Sequence, residues 1–313
     1  MNGGMKFFLV LGFACLAVGL IGSAISFRDT DWTASTTNID VEKKIAAANI
    51  DTLSINSGRA GITFIPGDSD EIKVHLVGAA TTSLAENCTV EAETVGTNGW
   101  KVNVCQDKKT HFSFNLEELK NLISNHGNRL RTEVTLPNKL YKAITLTTDT
   151  GPIDLKEVKA ETLTANADTG SITINRYEGK QLNLQTDTGR IEVKDGQGNV
   201  RLTTDTGSIE ANLHNMGDDV AMQADTGSIQ ATLQDIGNNV TLTTDTGSVE
   251  LHLTPPPSSA SFDLSTDTGR VFLDIPGVNA QHTDPHQAKA TIGDGSNKVT
   301  VRTDTGSIRV SSK

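Results

Sequence analysis

Large rings are nearly missing from this chain. Aromatic residues make up 4% of its 313 residues, with Trp 2 and Tyr 2, too few for an ordinary globular core built on aromatic side chains. Cysteine is almost absent, Cys 3, and no CxxC or Cys/His zinc spacing exists, which excludes a structural zinc module. Positive charge is in deficit: 27 Lys plus Arg stand against 38 Asp plus Glu, for a formal net charge of -11. That balance argues against a nucleic-acid binder and against a basic patch held to anionic lipid. Ser-His-Asp order, a phosphate loop, HExxH and a dinucleotide fingerprint are all missing. What recurs instead is Thr, Gly and Asp, too regularly for disorder. The composition is that of a repetitive β protein.

Asp-Thr-Gly occurs at Asp149, Asp168, Asp187, Asp205, Asp225, Asp245, Asp267 and Asp304, with successive spacings of 19, 19, 18, 20, 20, 22 and 37 residues. A period near 20 is the mark of a solenoid in which each repeat is one coil. Residues five and three before each aspartate are apolar, from Ile144 and Leu146 to Val299 and Val301. So are those four and six after, from Ile153 and Leu155 to Ile308 and Val310. Within each flank they alternate with polar residues, so a coil carries two short strands, each turning one face inward. Stacking in register, ~4.8 Å per layer, then builds aliphatic columns that fill a narrow core without rings. The expected fold is all-β, a parallel β-solenoid with coils of ~19–20 residues. The 37-residue spacing holds about two coil lengths, read as a long loop or a degenerate coil.

The motif itself reads as a corner piece. Asp accepts from backbone N–H groups two residues on in an Asx-type turn, Thr suits a strand edge, and Gly tolerates φ > 0. A second corner falls near Gly198, Gly217 and Gly237. Asp-Thr-Gly also spells the aspartic-protease motif, but that chemistry needs one or two such motifs in a closed cleft, not a structural period. A calcium ladder is the other alternative, since stacked aspartates repel unless bridged or hydrogen-bonded; each turn brings only one carboxylate, and the calcium β-roll nonapeptide is absent. The reading carries no catalytic residue, no cofactor and no metal ligand.

The N-terminus is a membrane address. Residues 7–27 are uncharged after Lys6 and would form a helix of roughly 31 Å, enough to cross a hydrocarbon core. That length favours an uncleaved anchor over a secretory signal, although Gly22-Ser23-Ala24 offers a cleavage site. Lys6 on one side, against Arg28, Asp29 and Asp31 on the other, places the N-terminus in the cytoplasm and the rest outside. The expected organisation is an anchor or signal over residues 1–28 and a polar linker over 29–48. An N-terminal β region over 49–140 and the Asp-Thr-Gly solenoid over 141–313 follow. Residues 53–64 are a blurred copy of the repeat, as a terminal cap should be.

Cys88 and Cys105 flank two alternating segments around Gly96-Thr97-Asn98-Gly99, a hairpin that brings them roughly opposite. A disulfide outside the cytoplasm and a pair of buried free thiols are both compatible with this spacing. Residues 115–123 carry apolar positions at helical spacing, with Asn115 as N-cap and Gly127 as stop. A short helix covering a solenoid end fits them better than a partner-binding helix. His282-Thr283-Asp284-Pro285-His286 reads as a solvated loop rather than a metal site. Pro255-Pro256-Pro257 lengthens one corner and blocks pairing there.

The repeated Leu-Thr-Thr-Asp-Thr-Gly-Ser-Ile, the lead-in Val134-Thr135-Leu136-Pro137-Asn138-Lys139-Leu140-Tyr141, and Gly19-Leu20-Ile21-Gly22-Ser23 in the anchor resemble the bacterial putative-adhesin family of extracytoplasmic β-strand-repeat proteins. The resemblance runs from about residue 50 to the end. It implies kinship with accessory proteins of Lia-type cell-envelope stress systems, and assigns no catalytic residue. The expected function is that of a membrane-anchored, non-enzymatic binding solenoid. Its acidic surface would meet a cationic peptide, another envelope component or a membrane-protein partner. The competing classes are a structural spacer that self-associates at an uncapped end, and a polysaccharide-active β-helix enzyme.

Overall fold

The computed structural model describes residues 36–106, 130–278 and 281–312. The apolar run over 7–27 and the helix expected over 115–123 lie outside these residues. Among the described residues no helix is long and apolar enough to cross a membrane.

Alternating apolar positions dictate two parallel ladders, and both are present. In the ladder before the corner, Ile144, Leu163, Leu182, Val200, Val220 and Val240 pair in that order. In the ladder after it, Ile153, Ile172, Ile191, Ile209, Ile229 and Val249 do the same. Like therefore lies on like, and the two inward faces meet in one core that runs from Ile39 to Val310 without a break at residue 140. The N-terminal β region and the repeat thus share a core. Every expected inward position is buried except Leu273, which is half-buried in an end layer; each fully buried aliphatic side chain contributes ~1.5–3 kcal/mol. The second corner also stands where expected. A Cβ on Gly237 would meet the Gly217 carbonyl oxygen at 1.8 Å, and Asn239 Nδ2 donates to Asp219 Oδ1 at 2.9 Å one layer away.

The strands before the first Asp-Thr-Gly are β1 (Thr36–Ala46), β2 (Thr52–Ser57), β3 (Gly61–Gly67), β4 (Glu71–Thr81), β5 (Val90–Val95), β6 (Gly99–Val104) and β7 (Arg131–Pro137). A short helix, α1 (Thr82–Asn87), precedes Cys88 and is N-capped by Thr81 Oγ1, which accepts from the Leu84 N–H at 3.3 Å. The Asp149 coil is formed by β8 (Tyr141–Thr150) and β9 (Ile153–Leu155). As the blurred repeat implied, β2 and β3 make a coil that stacks on β8 and β9. It is not the end layer, however. On its other side β6 pairs with β2 and β7 with β3, both parallel. Antiparallel strands then close that outer layer: β5 on β6, β4 on β7, and β1 on β4. The linker expected over 29–48 is corrected accordingly, because residues 36–46 are strand β1. It reads as polar because it is an edge, and Asp40, Glu42, Lys43 and Lys44 all face solvent, as suits a strand that must not pair further.

The opposite end is threaded in the same way. The Asp267 coil does not stack on the Asp245 coil; the C-terminal coil lies between them. Val299 pairs with Val240 on one side and Phe262 on the other, and Ile308 with Val249 and Val271. The corner at Pro255-Pro256-Pro257 therefore spans two layers rather than one, which explains its length. The 37-residue spacing holds neither a plain loop nor a degenerate coil but a hairpin, Gln281–Asp284 with Gln287–Ile292, whose second strand caps Phe262 antiparallel through Ala290. In the His282–His286 segment, Asp284 Oδ1 accepts the His286 N–H at 2.6 Å and closes the hairpin turn. Each terminal coil is thus clamped between two layers, and hairpin strands flank the layer outside it.

Candidate functional site

Every corner except the one at Asp267 has its glycine N–H bonded into the next layer of the ladder. Gly151, Gly170 and Gly227 donate their N–H to the carbonyls of Thr169, Thr188 and Thr246 in the next layer at 2.9, 2.9 and 2.8 Å. The expected Asx-type turn does not form from Asp168 onward. From Asp168 onward the corner carboxylates are exposed and take no hydrogen bond or ion pair among the described residues. Glycine is required for a second reason: Gly170 sits at φ 156, where a Cβ would meet the Gly151 carbonyl oxygen at 2.1 Å. At five corners the threonine before the aspartate carries the polar bond instead. Thr186, Thr244, Thr266 and Thr303 are buried, and their Oγ1 donate to Gly170, Gly227, Gly306 and Gly247 carbonyls at 2.9–3.0 Å. Sequence reasoning missed this column; its signal was the restriction of that position to Thr or Ala.

The corner aspartates form one column along the outside of the stack, ~4.8 Å per layer, with Asp304 between Asp245 and Asp267. Their charges contrast with those elsewhere on the surface. Beyond the second ladder Asp195 accepts from Arg176 at 3.1 Å and meets His214 at 2.8 Å. Lys180 binds Glu161 at 2.8 Å and holds its carboxyl below the usual range. Arg190 pairs with Glu210. Partial burial pushes the Asp154 carboxyl up, against the opposing pull of Lys194. Among the described residues no group of three or more His, Cys, Asp or Glu is placed to hold a metal ion.

Cys88 and Cys105 are bonded, with Cα atoms 4.0 Å apart. They are not direct cross-strand partners. The β5–β6 register puts Val90 opposite Val104, so Cys105 faces Thr89 and donates its N–H to that carbonyl at 2.9 Å. Cys105 turns to φ 48, and its carbonyl lies where a Cβ on Gly58 would be, 2.4 Å away. The disulfide therefore locks the mouth of the outer hairpin against the first-coil corner, far from most of the aspartate column.

A family model for Toastrack DUF4097 matches residues 50–311, the whole span of the stacked coils. The chain belongs to this family. That agrees with the resemblance read from the repeats. No curated protein matches the sequence. Among solved structures it is similar to one from Parabacteroides merdae described as a putative adhesin, at 12% identity and a TM-score of 0.42, covering 89% of this chain and 96% of that one. Another, from Clostridium sporogenes, is described as a putative cell adhesion protein, at 13% identity and a TM-score of 0.30, covering 88% and 100%. A third, from Parabacteroides distasonis, is described as a putative lipid binding protein, at 10% identity and a TM-score of 0.35, covering 86% and 96%.

Proposed function

We propose that this Toastrack DUF4097 chain is a non-enzymatic binding protein. Its apolar N-terminal segment holds it in the cell membrane, and the stacked coils stand outside the cytoplasm. The observation that carries the reading is the column of exposed corner carboxylates without internal partners, from Asp168 to Asp304. Like charges held ~4.8 Å apart on a rigid ladder repel each other, and a cationic chain laid along them relieves that repulsion through many weak, salt-sensitive contacts. The partner is thus a cationic peptide or a cationic envelope component, and the role is sensing or buffering envelope damage. Catalysis is disfavoured because the acids are spread one per coil, while acid–base hydrolysis needs them clustered across a groove. End-to-end self-association is disfavoured because hairpin strands lie over the outer layers and the β1 edge is charged.

The test is a pull-down of residues 29–313 on intact cell walls, liposomes and a cationic antimicrobial peptide, at low and high salt. Retention on the peptide that fades with salt is expected. Retention that ignores salt, or none on any support, overturns the reading.

A further inference from the structure

A second surface differs from the aspartate column in kind. Two residues before each corner aspartate, side chains point outward along the first ladder. The register stacks Asn56, Thr147, Asn166, Gln185, Thr203 and Gln223 in a single row, which continues through Thr243 to Arg302 and Ser265. The first six are half-buried or exposed, none of them is charged, and none has a side-chain hydrogen bond among the described residues. The adjoining outward row adds Thr145, Thr164 and Asn183 before it reaches Arg201. Beyond the second ladder and at the second corner some outward polar groups satisfy one another, as in the Arg176–Asp195–His214 chain and the Asn239–Asp219 bond. Along this face the ladder holds a long, regular set of amide and hydroxyl groups with donors and acceptors unused among the described residues.

We propose that this face binds an extended, uncharged glycan chain lying along the stack. Amides and hydroxyls both donate and accept, matching the hydroxyl-rich edge of a polysaccharide, and the ladder presents one such group per layer at ~4.8 Å. An extended β-linked sugar chain advances by nearly one layer per residue, so successive sugars meet successive rows. From Asn56 to Thr243 the row has no charge, which suits a neutral chain, and the aspartate column beside it repels polyanions such as nucleic acids or phosphate-rich polymers. A folded protein partner is disfavoured because the rows offer none of the aromatic or apolar anchors that form the centre of protein interfaces. Because the side chains sit on fixed strands, little ordering is lost on contact, and many weak bonds along one polymer add through avidity. The site is separate from the cation-binding column and stands or falls independently of it.

The test uses the purified full-length protein with insoluble cellulose and chitin, in low and molar salt. Two variants accompany it. One joins Asn166→Ala, Gln185→Ala and Thr203→Ala; the other joins Asp187→Asn, Asp205→Asn and Asp225→Asn. The expected result is salt-resistant retention of the parent and of the aspartate variant, with at least tenfold weaker retention of the neutral-row variant at an unchanged melting temperature. No retention of the parent on either polymer overturns the proposal, as does retention that disappears in molar salt, or a neutral-row variant that binds like the parent. Slowed ice recrystallisation without glycan retention also overturns it, assigning the row to ordered water instead.

Discussion

Ending the chain at residue 296 tests the threaded order of the layers. If coils stacked in chain order, the C-terminal residues would be an end layer, and their loss would fray one edge. In the structure they are an interior layer between the Asp245 and Asp267 coils. Val299, Val301, Ile308 and Val310 are fully buried in it, and burial of the four is worth about 6–12 kcal/mol as an area-based upper figure. That is comparable to the whole stability of a typical domain, about 5–15 kcal/mol. Deletion also strips both neighbouring layers of their ladder partners, including the Gly247 N–H bond to Thr305 and the Gly306 N–H bond to Thr268. The assay is chemical denaturation and limited proteolysis of residues 29–313 beside 29–296, with a synthetic peptide of residues 297–313 added back. The shortened protein should lose most of its stability and be cut after residue 253, and the peptide should restore protection. A shortened protein that melts within a few degrees of its parent would refute the threaded order.

Gly207→Ala places a Cβ 1.8 Å from the Gly189 carbonyl oxygen at φ 152, and denaturation should show a loss at or above the top of the usual ~0.5–3 kcal/mol range. The two buried tyrosines should behave differently, although burial pushes both phenols up to about 12. Tyr177 Oη donates to the Gln181 carbonyl at 2.7 Å, so Tyr177→Phe should cost ~1–3 kcal/mol. Tyr141 Oη has no hydrogen-bond partner among the described residues, so Tyr141→Phe should be neutral or stabilising in the same melts. For Asp154 the folded carboxyl binds its proton more tightly than the unfolded one, so its ionisation works against the fold at neutral pH. Asp154→Asn should therefore raise the melting temperature at pH 7. The gain should shrink as pH falls through the raised folded pKa and vanish below ~4, where both states are protonated; an equal gain at both ends would refute the burial argument.

Most of the stack was legible because its rule is local. Ile144, Leu163 and their counterparts declare inward faces by alternation alone, and Gly198, Gly217 and Gly237 mark the second corner. What escaped was whatever depends on which layer neighbours which. Nothing in the residues near Asp304 says that its coil enters between Asp245 and Asp267; only the 37-residue gap hints at it, and a hairpin fills such a gap as well as a coil. β1 hid behind the charges that protect an edge. Thr186 and Thr244 hid because threonine reads as an outward residue, whereas a glycine carbonyl one layer away lets it be buried. The closing role expected of the corner aspartates falls to the ladder at most corners, which leaves the carboxylates from Asp168 onward to solvent. The neutral row was invisible for a different reason: Asn56 and Thr147 become neighbours only through the β2–β8 register.

The claim that the aspartate column is a binding surface is tested most directly by measuring the affinity of a cationic antimicrobial peptide for two proteins. One is the parent and the other joins Asp187→Asn, Asp205→Asn and Asp225→Asn, both titrated across salt concentration. The account predicts parent binding that weakens steadily with salt, and a variant at least tenfold weaker at low salt with an unchanged melting temperature. Equal affinities for the two proteins, or parent binding that ignores salt, would contradict it.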